Sequence, residues 1–189
     1  MRKLRKKVEK VQDARRYEHT LGVAYTAAAL AMRHGASIQD AQTAGLLHDC
    51  AKCLPDEKRL ALCEKNGIPV TEVERRNPFL LHAKVGAHLA RRKYGIQNED
   101  ILNAVQYHTT GREGMSLLEK IIFVADYIEP GRKQAPNLAE IRRLAFEDLD
   151  AALLKILADT VEYLKQAGGE VDPMTERTWH YYRAQWERS

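Results

Sequence analysis

The chain has 189 residues, 44% of them hydrophobic and 30% charged. That length can carry a core of its own, and that apolar fraction excludes a disordered segment. Lys and Arg number 30 against 26 Asp and Glu, a net charge of +4 with His neutral. This mild excess suits a polyanionic ligand but falls short of a dedicated DNA-binding domain.

The most apolar run, Leu21 to Met32, is too short to span a membrane. Glu18 and His19 lie against it and no cleavage site follows, so it does not read as a signal segment. Three cysteines, an odd number, point to a reducing compartment, and a cytoplasmic location is expected.

Helical periodicity with caps recurs along the chain, and no run of period-2 alternation stands out. The spacing predicts a basic N-terminal helix within residues 1–14, with Leu4, Val8 and Val11 as a docked stripe. A long helix is expected from Arg15 to His34, ended by Gly35, then one opened by Ser37 and Asp40 that reaches Asp49. Pro55 opens a helix to Asn66–Gly67, and Asn77–Pro78 precedes one ending at Tyr94–Gly95. Asn98 caps a segment to Tyr107. Ser116 and Glu119 form a capping box for a helix to Ile128, which Glu129-Pro130-Gly131 stops. Asn137 and Glu140 read as another capped start, and the last long helix ends at Gly168–Gly169. A terminal segment, 169–189, carries Trp179, Tyr181, Tyr182 and Trp186. The expected fold is an all-α helical bundle of seven to ten helices, with residues 15–168 as its main body.

Six ionisable residues sit on or beside apolar helix faces: His19, His48, Asp49, His82, His108 and Asp126. Asp126 follows Ile121-Ile122-Phe123-Val124-Ala125, an unfavourable place for a lone carboxylate. One such histidine would read as a satisfied core residue. Six positions on successive helices point instead to imidazole and carboxylate ligands for divalent ions. Apart from the adjacent His48–Asp49 pair, the gaps between successive members run from 18 to 33 residues, which suits separate helices feeding a bundle core rather than a local zinc finger. His48 and Asp49 are about 100° apart on a helix, yet both can turn to one ion at a helix end. Asp49, with two oxygens, can bridge two ions. Cys50-Ala51-Lys52-Cys53 reads as packing or chance, since no thioredoxin-like βαβ pattern surrounds it.

His19, the His48–Asp49 pair and Asp126 resemble the signature of the HD-domain metal phosphohydrolases. Five strings narrow this: Arg16-Tyr17-Glu18-His19-Thr20, Leu47-His48-Asp49-Cys50-Ala51-Lys52, Leu81-His82-Ala83, Tyr107 to Arg112, and Ala125 to Arg132. Together they resemble the bacterial YqeK family of symmetrical diadenosine tetraphosphate hydrolases. The resemblance covers roughly Arg15 to Gln166. It implies two divalent ions, with iron expected. The ligand types alone accept Fe, Mn, Co or Zn. His19, His48, Asp49 and Asp126 would hold one ion, and Asp49 would bridge to a second on His82 and His108.

In such a centre a water loses its proton near neutral pH, and the ions stabilise phosphoryl charge. Lys52 is the candidate for assisting the leaving group, with a solvated surface lysine as the alternative. Arg16, Arg112 and Arg132 are candidate phosphate forks, against the reading that lone arginines are solvated. The resemblance places His82-Ala83-Lys84-Val85 and His108-Thr109 beside the nucleotide, and Asp172, Pro173 and Thr175 are candidates for a base pocket. The implied substrate is a dinucleoside polyphosphate and the product ADP. No membrane partner and no firm nucleic-acid partner are expected, and the oligomeric state is open, a homodimer included. Two other readings stand beside this one: another HD nucleotide phosphohydrolase, or a metal-stabilised module binding RNA or ribosomes through the basic N-terminus.

Overall fold

The computed structural model describes residues 1–168 and 170–188. Among them are eleven α-helices and one short 3-10 helix, with no strand. They run α1 Arg2–Glu9, α2 Ala14–His34, α3 Ile38–Leu47, α4 Asp56–Asn66, α5 Glu72–Arg76, a 3-10 turn Pro78–Leu81, α6 His82–Arg92, α7 Glu99–Tyr107, α8 Leu117–Ile128, α9 Leu138–Glu147, α10 Leu149–Gln166 and α11 Pro173–Trp186. The all-α expectation holds, with more helices than the seven to ten expected. α5 is a single capped turn, in which Thr71 and Glu74 form a reciprocal capping box.

Most caps act as their chemistry dictates. Asp13, Ser37, Asn98, Ser116 and Asp148 each accept a backbone N–H from the first turn that follows. Two expectations change. α3 ends at Leu47 rather than Asp49, and residues 48–53 continue as tight turns closed by Cys50 N–H to Leu47 O and Lys52 N–H to Asp49 O. Asn137 makes no side-chain cap. It adopts a left-handed φ of 53° and donates its amide to Asp159 instead. Gly169, at the expected end of the last long helix, lies outside the described residues.

α2, α3, α7 and α8 form the centre of the bundle, with α9 and α10 closing the main core around Leu30, Ile121, Ile122, Leu153 and Leu157. α2 and α3 approach so closely at Gly45 that a Cβ there would meet the Ala24 Cα at 2.7 Å. That approach carries the end of α3 to the side of α2 and sets His48 against His19. A second cluster docks α1 through Val8 onto Leu47, Leu102 and Val105. The C-terminal helix α11 packs on α10, and its Tyr182 hydroxyl accepts the Met115 N–H at 2.8 Å. No helix of the described residues is long and apolar enough to cross a membrane.

Candidate metal centre

The six residues singled out by pattern converge on one point. His19 comes from the first third of α2, His48 and Asp49 from the turn after α3, and His82 from the start of α6. His108 comes from the end of α7, and Asp126 from the last turn of α8. His48, Asp49, His82 and His108 are buried, while His19 and Asp126 retain 12% and 19% side-chain exposure toward one opening.

Asp49 stands at the middle, and its two oxygens face different partners. Oδ2 lies 3.4 Å from His48 Nε2 and 3.8 Å from His19 Nε2. Asp126 Oδ1 joins that group, 3.1 Å from His19 Nε2 and 3.9 Å from His48 Nε2. Oδ1 of Asp49 lies 3.3 Å from His82 Nε2 and 3.7 Å from His108 Nε2, and those two nitrogens are 3.2 Å apart. Donor atoms 3 to 4 Å apart, all nitrogen or carboxylate oxygen, match the spacing of ligands about 2.0–2.2 Å from a shared ion. The donor set therefore fits a divalent metal.

Each ring is oriented from behind. The Nδ1–H of His48 meets Gly45 O, that of His82 meets Phe79 O, and that of His108 meets Val105 O, each at 2.7 Å. Those bonds turn every Nε2 inward. His19 Nδ1 faces a carboxylate instead, Glu129 Oε1 at 3.2 Å.

Protonation follows from burial and charge. Burial would hold the Asp49 carboxyl up, but the charge of His48 and hydrogen bonds from His108 and His48 take it well below the usual range. Burial opposes ionisation of Asp126 too, and the hydrogen bond from His19 with the charge of His48 overcomes it. Burial pushes His82 down to about 4. His19 goes the other way: burial would lower it, and the carboxylates of Asp126 and Glu129 outweigh that. Lys52 is lowered by burial against the pull of Asp49, and its Nζ sits 3.4 Å from both nitrogens of His82. The Cys50 thiol, buried beside Asp49, rises to about 12, so it is not a reactive thiolate. Cys50, Cys53 and Cys63 are free.

A cleft of about 500 Å³ opens on the His19 side, lined by Arg15, Arg16, His19, Glu129, Arg132 and Lys133. Arg16 bonds Asp49 Oδ2 at 2.8 Å and Arg132 bonds Asp126 Oδ1 at 3.1 Å. A second cavity, about 310 Å³, is lined by Ala83, Lys84, Thr109, Asp172 and Pro173 among others, and so gathers five of the expected nucleotide neighbours. Three others point elsewhere. Val85 is fully buried among Ala51, Cys63 and Leu81; Thr175 is buried in α11; and Arg112 spends its fork on the buried Glu119 at 2.7 and 2.9 Å. Another cavity, about 640 Å³ beside Lys120 and Tyr181, contains none of the cluster.

Several supporting residues went unread in the sequence. Gln12 donates to the Asp49 carbonyl at 3.0 Å. Arg59 holds the Lys52 carbonyl at 2.9 Å and so fixes the turn that carries Lys52. Glu129 read only as part of a helix stop. Its signal was an acidic residue just before Pro-Gly at the end of a mostly apolar helix.

A family model for the HD domain matches residues 16–131, and the chain belongs to the HD-domain family. Within it, the chain is 45% identical over 166 residues to a Bacillus subtilis protein named symmetrical bis(5'-nucleosyl)-tetraphosphatase, covering 88% of each. A Staphylococcus aureus protein of the same name is 37% identical over 182 residues, 92% of this chain and 90% of that one. A Clostridium acetobutylicum crystal structure, described as a predicted HD superfamily hydrolase involved in NAD metabolism, superposes with a TM-score of 0.93 at 42% identity. It covers 97% of this chain and 96% of that one.

Proposed function

We propose that the chain hydrolyses diadenosine tetraphosphate symmetrically into two molecules of ADP. The observation that carries this reading is the pair of nitrogen groups on opposite oxygens of Asp49, in a chain whose relatives bear the name of that activity. His19, His48, Asp49 and Asp126 would hold one divalent ion, and Asp49 with His82 and His108 a second, with Fe the proposed metal and Mn, Co or Zn as substitutes. Such ions acidify water and neutralise phosphoryl oxygens.

The protein's own residues supply the rest. Arg16 and Arg132 stand at the mouth of the cleft and can transfer their forks from Asp49 and Asp126 to phosphate. One ADP half would occupy the cavity bordered by Ala83, Lys84, Thr109, Asp172 and Pro173. Water attacks the β-phosphorus of that half. The bond from this phosphorus to the bridging oxygen breaks, and the other half leaves as a diphosphate. Lys52, with its ammonium destabilised by burial, would lend a proton or a charge to the departing oxygen. The proposed setting is the cytoplasm.

The test starts from protein purified without oxygen, with metal analysis before a substrate screen. Turnover in heavy-oxygen water should yield ADP alone, with label on the terminal phosphate of one of each two molecules. Production of ATP and AMP, or full turnover after metal removal, overturns the reading.

A further inference from the structure

We propose that Glu129 is the positioning residue of the metal centre, selecting the tautomer and orientation of His19. The proposal rests on the reading of His19 as a metal ligand. The three other histidines stand at helix ends or junctions and turn their Nδ1–H to a carbonyl three residues earlier in their own chain. His19 lies inside α2, where the carbonyls of the preceding turn are committed to the helix ladder. Its partner must come from another element, and Glu129 at the end of α8 provides it.

The surroundings are shaped for that carboxylate. Glu129 is 4% exposed, and among the described residues no Lys or Arg side chain pairs with it. Its Oε1 faces His19 Nδ1, and its Oε2 accepts the Gly131 N–H at 2.6 Å. Gly22, inside α2 where glycine costs about 1 kcal/mol against alanine, lies directly beneath: a Cβ there would be 2.6 Å from Oε2. A Cβ on Gly131 would be 3.0 Å from both carboxylate oxygens. Arg142 reaches from α9 to bond the carbonyls of Ile128, Glu129 and Arg132, which fixes the loop. Two glycines and an arginine thus secure a buried carboxylate whose side-chain partner is His19. A carboxylate behind an imidazole keeps the proton on Nδ1, leaves Nε2 free and makes the ring a more basic ligand than its three carbonyl-backed neighbours.

The test uses the full chain and Co²⁺ as the probe, in competition with a chromophoric chelator. Glu129→Ala should weaken Co²⁺ binding about 10- to 100-fold. Glu129→Gln, which keeps an acceptor oxygen but not the charge, should fall between it and the parent. Gly22→Ala should weaken binding in the same direction by displacing the carboxylate without removing it, and it answers the question if Glu129→Ala does not fold. In Zn²⁺-loaded protein, the His19 Nδ1–H proton resonance should move upfield in Glu129→Ala while those of His48, His82 and His108 stay in place. Unchanged Co²⁺ affinity in Glu129→Ala and Gly22→Ala overturns the proposal. So does weakened affinity with an unmoved His19 resonance, since that marks a packing residue. If His19→Ala itself leaves Co²⁺ binding intact, the ligand reading fails instead.

Discussion

The two sides of Asp49 are built differently. Toward the cleft, Oδ2 meets His19 and His48 in the company of a second carboxylate, Asp126, with Arg16 and Arg132 pairing to the acids from outside. Toward the interior, Oδ1 meets only His82 and His108, both 1% exposed, with Lys52 alongside. The outer group brings its own negative charge and contacts solvent. The inner group is two imidazoles that share one carboxylate oxygen, beside a cation. The difference predicts that a divalent ion would be held more firmly outside than inside, and only Asp49 faces both groups.

The largest expected effect follows from that shared role. Asp49→Ala should lower turnover by on the order of 10³-fold or more and strip metal from both positions. Metal analysis of the dialysed variant checks it, and a variant that retains one full equivalent would break the comparison. His108→Ala should act on the inner side only. A loss of about 10- to 100-fold in affinity for the weaker equivalent, with the tighter one intact, is the expected titration result. Equal weakening of both would show that the two sides are one site.

How much of this was legible depends on the kind of signal. His48, Asp49 and His108 were readable because a charged or polar residue ending an apolar helix needs a partner, and His82 because it follows the apolar run Phe79-Leu80-Leu81. Ser116 with Glu119 announced the start of α8 in the same way, and the structure contains both hydrogen bonds of that capping box. The pairing of Arg112 with Glu119 was not legible, because the second duty of Glu119 as an ion-pair partner has no sequence signature. The burial of Val85 in the core was not legible either, because a string beside a ligand includes every residue, while a helix turns only some of them toward one face. Glu129 meets His19 110 residues away in the chain, while Arg59 and Arg142 hold backbone carbonyls 7 and 13 residues back; the periodic patterns of helices and caps do not name such partners.

The same comparison has a pH signature in metal-free protein. His82 is held at about 4 by burial, against an ordinary value of 6.5. The unfolded chain therefore takes up this proton between those values, and stability should fall as pH drops from 6.5 to 4. The slope is at most about 1.4 kcal/mol per pH unit. His19, with its value raised, contributes stability that is complete below 6.5 and lost as pH rises through its folded value, so it is flat in that window. The lowered Asp49 and Asp126 act further down, losing their contribution as pH falls below 3.8. Urea denaturation of chelator-treated protein at pH 6.5 and 5.5 should show the decline, and His82→Gln should flatten it. A decline that persists in His82→Gln would move the effect away from the inner side.

The smallest effect concerns the arginines at the outer mouth. Arg16 and Arg132 bond the carboxylates at 2.8 and 3.1 Å, and their side chains are 31% and 45% exposed. Partly exposed charge pairs are worth about 1 kcal/mol, so neither arginine is needed to hold the acids in place. Both lie on the wall of the cleft proposed to take the polyphosphate, and a charge-assisted fork to phosphate is the stronger bond. Replacing either with alanine should raise KM about three- to tenfold, at least as clearly as it lowers kcat, because phosphate is held before the reaction as well as during it. Arg16 sits on the shared carboxylate and Arg132 on the outer one, so the two variants can be told apart. Arg16→Ala should tighten both metal equivalents slightly by removing a competing cation from the shared carboxylate, and Arg132→Ala only the outer one. Steady-state kinetics with parallel metal titrations measures this, and unchanged KM in both variants would place the polyphosphate path on the inner side of Asp49.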